Sequence, residues 1–204
     1  MSETAPPVGM RDRARRAMQT ELAAVALELF LDQGYDETTV DQIAAATGMS
    51  QRTFFRYFPS KDAVLSRTMA TTGEDMAAVL AARPAEETPW TALRHTFQWM
   101  AELSLARERS LDLSRMMLKV PEMNGQHVDK ETNWRRSLSE ILVSRLFSTS
   151  PDLPRDEAEL RADTLAAAGM ACLTVAMTQW VDSDGVQSLT DLIDSAMKAI
   201  TDAQ

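Results

Sequence analysis

Residues 38–61 constrain the fold of this chain more than any other segment, because they predict two short helices joined by a tight turn. The segment reads TTVDQIAAATGMSQRTFFRYFPSK. Thr39, with Gln42 three residues later, is a capping-box pattern that begins a helix. Gly48 ends that helix, and Ser50 is placed to cap the next one. Two short helices around such a turn are typical of a helix-turn-helix, the second helix of which lies in the major groove of DNA.

The second of these helices separates into an apolar face and a polar face. It is limited to residues 50–58 because Pro59 follows, and Phe54 and Phe58 share the face that is expected to pack inward. The candidates for DNA contact are the other side chains of this helix and one lysine just beyond it: Gln51, Arg52, Thr53, Phe55, Arg56 and Tyr57, with Lys61. Gln can pair with adenine, Arg with guanine, and the Thr methyl group can contact thymine, whereas the last positions suit phosphate contacts. Taken alone, a polar exposed face above an aromatic core would explain the same helix.

The composition predicts an all-α fold. Only seven of the 204 residues are Gly, and Ala, Leu, Met, Glu and Arg, which favour helices, dominate the chain. Pro and Gly residues, which tend to end helices, divide the chain into about nine predicted helices. These lie at about 12–33, 39–47, 50–58, 61–82, 90–106, 110–119, 126–148, 155–182 and 187–202. We therefore expect a flexible arm at 1–10, a DNA-binding domain at 11–67 and a larger helical domain at 68–204.

The charge of the chain is unevenly distributed between these parts. Residues 1–67 carry eight Lys/Arg and nine Asp/Glu, a net of -1, so that residues 68–204 hold -8 of the total of -9. Four arginines at 11, 13, 15 and 16 surround one aspartate and form a local basic cluster. Local positive charge is sufficient for phosphate contacts, although a solvated helix start would explain the cluster equally well.

Several functional classes are disfavoured. His95 and His127 are the only histidines and lie 32 positions apart, and Cys172 is the only cysteine, so no metal set or intrachain disulfide is predicted. No phosphate-binding Gly loop or nucleophile motif is present, so that we expect no enzyme, catalytic residue, cofactor or metal. The first residues lack a signal-peptide core and no apolar run approaches transmembrane length, which favours a cytoplasmic protein without a membrane partner.

Residues 26–65, ALELFLDQGYDETTVDQIAAATGMSQRTFFRYFPSKDAVL, resemble the TetR family of transcriptional regulators. The elements that carry the resemblance are G-Y-x-x-T-T-V-x-x-I-A, G-x-S-x-x-T-F-F-x-Y-F and S-K-x-x-L. The resemblance implies that Thr39 touches a phosphate, that Gln51, Arg52, Thr53 and Arg56 face base edges, and that Phe55, Tyr57 and Lys61 lie against the sugar-phosphate backbone. It implies a repressor that binds an inverted-repeat operator in double-stranded DNA as a homodimer, with the basic arm reaching a flanking groove.

The last two predicted helices carry stripes of small and apolar residues that favour a dimer interface. The stripes consist of Leu165, Ala166, Gly169, Met170, Leu173, Ala176 and Met177, and of Leu189, Leu192, Ile193, Ala196, Met197 and Ile200. Two such helices from each subunit can form a four-helix interface, and the family resemblance implies the same dimer. Read alone, both stripes are equally compatible with the core of a monomer.

Large adaptable side chains in the second domain are candidates for an effector pocket. The candidates are Phe97, Met100, Met116, Met117, Trp134 and Met177. Methionine suits pockets for flexible apolar ligands, although core packing explains any one of these residues. Cationic side chains that could lie at the mouth are Arg94, His95, Arg115, Lys119, Arg135 and Arg136. Residues 113–142 and 166–185 resemble the TetR subgroup that binds acyl-CoA-like ligands, which implies a small apolar or acyl-type effector with a polar head.

The sequence leaves two functional classes open. The first is a ligand-responsive repressor, in which the fourth helix links the effector domain to the DNA-binding domain. The second is a small-molecule-binding or enzymatic helical protein that retains a helix-turn-helix. Salt-dependent binding to an inverted repeat would favour the first.

Overall fold

The computed structural model describes the backbone of residues 9–105, 109–119 and 121–202, and the side chains in these ranges except those at 69, 119 and 121–131. The described residues form nine helices and no strand, which confirms the all-α prediction. The helices are α1 (Met10–Gln33), α2 (Val40–Ala46), α3 (Gln51–Tyr57), α4 (Lys61–Ala82), α5 (Pro89–Leu105), α6 (Ser110–Lys119), α7 (Pro121–Thr149), α8 (Arg155–Asp182) and α9 (Leu189–Thr201). By its internal contacts the chain divides into two units, Met1–Ala70 and Thr71–Gln204, and the division falls within α4.

The first unit is a three-helix arrangement whose boundaries are fixed by local capping. Gly34 follows α1 with a φ of 95°, in the left-handed region that favours glycine, and its N–H donates to the carbonyl of Phe30. Thr39 and Gln42 form a complete capping box at the start of α2. Ser50 caps α3, and the Ser60 hydroxyl accepts a hydrogen bond of 3.2 Å from the N–H of Ala63 at the start of α4. The predicted caps are therefore confirmed.

The N-terminal boundary differs from the prediction. A flexible arm was expected at 1–10, but Met10 is the first residue of α1, and Gly9 stands at its N-cap position. The rest of that segment, residues 1–8, lies outside the described residues. The four arginines of the basic cluster belong to the first turns of α1, where each is exposed, and contact of this cluster with a flanking groove of DNA stays a prediction.

The second unit is built around α8, which packs against α5, α6, α7 and α9. Its core contains side chains from α4, α5, α7, α8 and α9, among them Leu93 and Phe97 of α5, Leu142 of α7 and Ile193 of α9. All four of these side chains are fully buried. Burial of that apolar surface is the main driving force for folding of this unit.

Helix α7 begins earlier than predicted. Pro121 and Gly125 predict a helix only over 126–148, but α7 extends from Pro121 to Thr149, so that Gly125 lies inside it. Proline is favoured in the first turn of a helix because the N–H that it lacks has no intrahelical partner there. A single internal glycine weakens a helix without ending it.

Helix α8 is apolar on two faces. One face is buried in the core and includes Ala166, Met170 and Leu173. The other face is exposed and carries mostly small or apolar residues at helical spacing: Leu160, Thr164, Ala167, Ala171, Val175 and Thr178. Among the described residues, α8 is the one helix long and apolar enough to cross a membrane by length and composition, and 44% of that stretch is buried. The expectation that no apolar run reaches such a length is therefore wrong for α8, because its two apolar faces add together.

The burial of side chains on α8 and α9 shows how many residues of the two predicted interface stripes lie in the core of the monomer. Most of those residues fill the core of the monomer: Ala166, Gly169, Met170, Leu173, Ala176, Leu189, Ile193 and Met197 are buried. Ile200, by contrast, is 49% exposed. The stripes as drawn from the sequence are thus mainly core, and the exposed apolar surface of α8 lies on its opposite face.

Candidate nucleic-acid interface and effector domain

Helix α3 presents a polar face to solvent because its aromatic residues anchor the opposite side. Phe54 and Phe58 are almost fully buried, with ring centroids 5.9 Å apart. Gln51, Arg52 and Arg56 are exposed. Phe55 adds a large apolar ring that is 47% exposed. The face therefore combines two guanidinium groups, an amide and an aromatic ring, which is a composition suited to base edges and phosphates.

The turn before α3 fixes the direction of this face. Gly48 has a φ of 67°, in the left-handed region, and the N–H of Met49 donates to the carbonyl of Ala44 at 2.9 Å. The Ser50 hydroxyl then accepts a hydrogen bond of 3.2 Å from the N–H of Thr53. The Ser50 and Thr53 hydroxyls are also 2.9 Å apart, so that Thr53 takes part in the cap as well as lying on the candidate face.

The Lys61 side chain is held by the loop between α1 and α2. Its Nζ donates to the carbonyls of Tyr35 at 2.7 Å, Asp36 at 3.3 Å and Thr38 at 3.4 Å. It also stands 4.3 Å from the centroid of the Tyr35 ring, in cation–π geometry. The Tyr35 hydroxyl donates to the carboxylate of Asp62. Lys61 thus ties the start of α4 to the loop between α1 and α2, and a phosphate contact by this residue remains a prediction.

Sequence reasoning did not identify a contact between α1 and the end of α3. The Gln19 amide donates from Nε2 to the backbone carbonyl of Tyr57 at 3.0 Å. The guanidinium of Arg56 lies 5.2 Å from the centroid of the Tyr57 ring. Gln19 is half-buried and 38 positions from its partner, so no local pattern marks it. Tyr57 is therefore held by its backbone while its ring packs beside Arg56.

In the second unit, four of the six candidate effector residues belong to the core cluster or pack against it. Phe97 and Met100 belong to the buried core, and Trp134 and Met177 pack against it as partly buried residues. Met116 and Met117 of α6 are half-buried and are not part of that cluster. The candidates from α5, α7 and α8 therefore share the core of the second unit.

The cations predicted at the mouth of a pocket are mostly paired with acids. The pairs are Arg94 with Asp194 at 3.6 Å, His95 with Glu87 at 2.9 Å, Arg115 with Asp112 at 3.0 Å and with Asp184, and Arg135 with Asp163. The side chain of Lys119 lies outside the described residues. Arg136 is exposed and lines an open groove between α7 and α8.

A polar cluster fixes the connection between α4 and α5. The hydrogen bond from Arg83 holds the pKa of the Glu87 carboxyl well below its ordinary value, at about 2, and the hydrogen bond with His95 acts in the same direction. The Glu87 carboxylate in turn raises the pKa of Arg83. From α7, Arg145 donates to the carbonyls of Arg83 at 3.0 Å and Glu87 at 3.2 Å, as well as to that of Pro84. Charge-assisted bonds of this kind are stronger than neutral ones.

A second groove lies beside the exposed face of α8. It has a volume of about 460 Å³ and is lined by Thr132, Arg135, Ala167, Met170, Ala171, Thr174 and Val175. In the part of the chain that the structure describes, no group of three or more His, Cys, Asp or Glu side chains is placed to hold a metal ion.

Two family patterns cover most of the chain. The pattern of the bacterial regulatory proteins of the tetR family matches residues 22–68, and that of the MftR C-terminal domain matches residues 87–203. The first extends from the second half of α1 to the start of α4 and includes every residue assigned to DNA contact. The second covers α5 to α9, which contain every residue assigned to the effector.

Individual relatives agree with these matches. TcmR, a transcriptional regulator of the helix-turn-helix type from Streptomyces glaucescens, is 34% identical over 146 residues, which is 67% of this chain and 64% of that protein. The putative mycofactocin biosynthesis transcriptional regulator MftR of Mycobacterium tuberculosis is 25% identical over 191 residues, covering 92% and 91% of the two chains. The crystal structure of FadR from Bacillus subtilis in complex with stearoyl-CoA shares the fold, with a TM-score of 0.61 and 19% identity over 89% of this chain and 96% of that one.

Proposed function

Because the chain belongs to the TetR family of bacterial regulatory proteins, we propose that it is a ligand-responsive repressor that binds an inverted-repeat operator as a homodimer. The observation that carries this proposal is the exposed face of α3, where Gln51, Arg52, Phe55 and Arg56 project from a helix anchored by buried Phe54. In a helix-turn-helix the second helix enters the major groove.

The residues proposed to contact DNA have distinct roles on this face. Gln51, Arg52 and Arg56 are exposed and can reach base edges, and Thr53 offers a methyl group beside them. The roles proposed for the remaining residues are contacts to the sugar-phosphate backbone, by Thr39 from the start of α2 and by Phe55, Tyr57 and Lys61. For Lys61 such a contact would compete with the three carbonyls that its Nζ already meets.

The dimer is proposed to form through α8 and α9. Its support is the exposed face of α8, on which Leu160 is 68% and Val175 52% exposed, and Ile200 on α9. An exposed apolar helix face of this length is a common mark of a protein–protein interface. A two-fold dimer places two recognition helices about 34 Å apart on DNA, which is why the operator is expected to be an inverted repeat.

The effector is proposed to be a small, largely apolar molecule with an acyl-type body. Phe97, Met100, Trp134 and Met177, which share one cluster, are the residues proposed to meet it, together with Met116 and Met117. FadR from Bacillus subtilis was solved with stearoyl-CoA, and this makes an acyl-CoA the first probe to use. The protein is proposed to act in the cytoplasm, without enzymatic activity.

Release from DNA is proposed to pass through α4, which runs without interruption from Lys61 to Ala82. An effector that binds more tightly when α4 is displaced would lower the affinity for the operator, and by reciprocity the operator would lower the affinity for the effector by the same factor. Such coupling is typically worth about 1–3 kcal/mol. The alternative, a binding or enzymatic protein that merely retains the helix-turn-helix, predicts no such coupling.

The proposal is tested by selecting DNA fragments with the purified protein and sequencing them. We expect an inverted repeat that is bound with strong salt dependence, and loss of that binding when Gln51, Arg52 and Tyr57 are replaced by Ala. Persistent sequence-independent binding in the triple variant would contradict the residue assignment. Unchanged operator affinity of the wild type at saturating stearoyl-CoA would contradict this effector class.

A further inference from the structure

Trp134 of α7 lies directly against the backbone of α4 at Gly73. A Cβ atom placed on Gly73 would overlap the indole ring at Cδ1 and Nε1. Gly73 is buried and sits in the interior of α4, where glycine is unfavourable relative to alanine. The close approach of the ring therefore explains why a glycine occupies this position.

The same ring carries an unsatisfied polar group. The Nε1 atom of Trp134 is buried and finds no hydrogen-bond acceptor among the described residues. Buried indole N–H groups usually have a partner, and one without an acceptor raises the free energy of the arrangement that buries it. The ring is thus closely packed against Gly73, but its buried N–H lacks an acceptor. A different position of the ring, with an acceptor for the N–H, would remove this free-energy cost.

The location of Trp134 connects this cost to the proposed effector. The residue packs against the cluster that contains Phe97 and Met100, two residues proposed to meet the effector. Gly73 lies on α4, the helix proposed to transmit the response, only a few residues beyond the division between the two units. Both partners of the contact belong to the second unit, so that the contact is complete within the effector domain.

We infer that Trp134 determines the specificity of the effector site, by leaving Gly73 to donate its indole N–H to a hydrogen-bond acceptor on the effector. The inference rests on the proposed function and deepens it: the effector must carry an oxygen acceptor, such as a thioester carbonyl or a carboxylate, next to its apolar body. An apolar molecule without that oxygen would leave the N–H unsatisfied and would bind more weakly. Departure of the ring also removes a packing contact from α4, so that acceptor recognition and the response of α4 depend on one movement.

The direct test compares two ligands that differ by one oxygen, lauroyl-CoA and its thioether analogue S-dodecyl-CoA. We expect the wild type to bind lauroyl-CoA about tenfold more tightly, the size expected for satisfying one buried donor. In ¹H–¹⁵N spectra of protein labelled at tryptophan, the Trp134 indole resonance is identified by its absence from the spectrum of Trp134→Phe. In the wild type this resonance should shift with lauroyl-CoA and not with the thioether. The Trp134→Phe variant should bind both ligands equally, whereas Trp180→Phe, a change in the core of α8, should keep the tenfold preference.

The outcomes that overturn the inference are specific. They are equal binding of the two ligands by the wild type, a tenfold preference that persists in Trp134→Phe, or no shift of the Trp134 indole resonance with lauroyl-CoA. These outcomes are distinct from failure of the proposed function. If lauroyl-CoA releases both the wild type and Trp134→Phe from the operator to the same extent, the proposed function stands and the proposed role of Trp134 does not. A wild type that binds no operator would remove the function, while the spectra would still report on Trp134.

A second variant tests the contact without relying on the N–H. Gly73→Ala places a methyl group where the ring lies, so we expect several-fold tighter lauroyl-CoA binding and several-fold weaker operator binding without ligand. Trp134→Ala in the same chain removes the indole donor and should abolish the gain in lauroyl-CoA affinity. Asp75→Ala, an exposed change on α4 that likewise raises helix propensity, should alter neither. Wild-type behaviour of Gly73→Ala in both assays would overturn the inference.

Discussion

Lys61 contacts Tyr35 in two ways. Its Nζ donates a hydrogen bond to the Tyr35 carbonyl at 2.7 Å, and the same atom lies 4.3 Å from the centroid of the Tyr35 ring. The contact joins the first residue of α4 to the loop that precedes α2. A basic residue next to a recognition helix suggests a phosphate contact, but a lysine with three carbonyl partners has its donors already occupied. Structural and DNA-binding roles of Lys61 make opposite predictions.

Replacing Lys61 with Met should destabilise the DNA-binding unit by about 1–3 kcal/mol, because it removes charge-assisted bonds and leaves carbonyls without a donor. Urea denaturation followed by circular dichroism measures the change. The slope of the salt dependence of operator binding should stay unchanged if the carbonyls of Tyr35, Asp36 and Thr38 keep the Lys61 Nζ from the phosphates. A slope reduced by about one, with unchanged stability, would assign Lys61 to phosphate instead. Lys198→Met, an exposed change on α9, serves as the control for stability.

Replacing Arg56 with Ala should have the reverse effect. Its side chain is exposed, so stability should change by no more than about 0.5 kcal/mol. Operator affinity should fall by about 1–3 kcal/mol, with relaxed discrimination at one base pair if the guanidinium reads guanine. Fluorescence anisotropy on operator variants measures both quantities. An equal loss on every sequence would place Arg56 on the phosphate backbone.

Replacing Glu87 with Gln should make stability less dependent on pH. The folded-state pKa of Glu87 is about 2 against an ordinary 4.5, so the ionised carboxyl stabilises the fold above about pH 4.5, and this stabilisation is lost as pH falls towards 2. The variant should therefore be less stable by about 1 kcal/mol at pH 7, and the difference should shrink below pH 4.5. Denaturation at a series of pH values tests this. Glu86→Gln, an exposed neighbour, should match the wild type throughout.

Replacing Ala171 with Glu should weaken the dimer. Ala171 lies in the middle of the exposed face of α8, and two copies of a charge facing each other across a two-fold interface would be desolvated and repelled. Sedimentation at several concentrations should show monomers for this variant and dimers for the wild type. Ala78→Glu on the exposed side of α4 is the matched control. Dimers that persist in Ala171→Glu would exclude this face as the interface.

The helices that could be predicted from the sequence are those whose ends carry local signals. The Thr39 and Gln42 pair, Ser50 and Ser60 each act within four residues of their own position. The predicted start of α7 was wrong because the signals there do not act by residue type alone. Pro121 and Gly125 were interpreted as breakers, although their effect depends on where in a helix they stand.

The arrangement of side chains between helices was less accessible to sequence reasoning. The partners of Lys61 lie 23 to 26 positions away, and Gly73 meets Trp134 across 61 positions, so no periodicity connects them. For α8, small residues predict close approach of another helix but do not say whether that helix belongs to the same chain. Burial answered this for Ala166 and Leu173, which face the core.

The two faces of α8 separate two kinds of evolutionary constraint. Ala166, Met170 and Leu173 must fit fixed neighbours inside their own chain, and exchange of any of them risks the fold. Ala167, Ala171 and Val175 point away from that core, so they can vary while the domain stays intact. If this outer face forms the proposed dimer interface, substitutions on it would decide which chains can pair with this one.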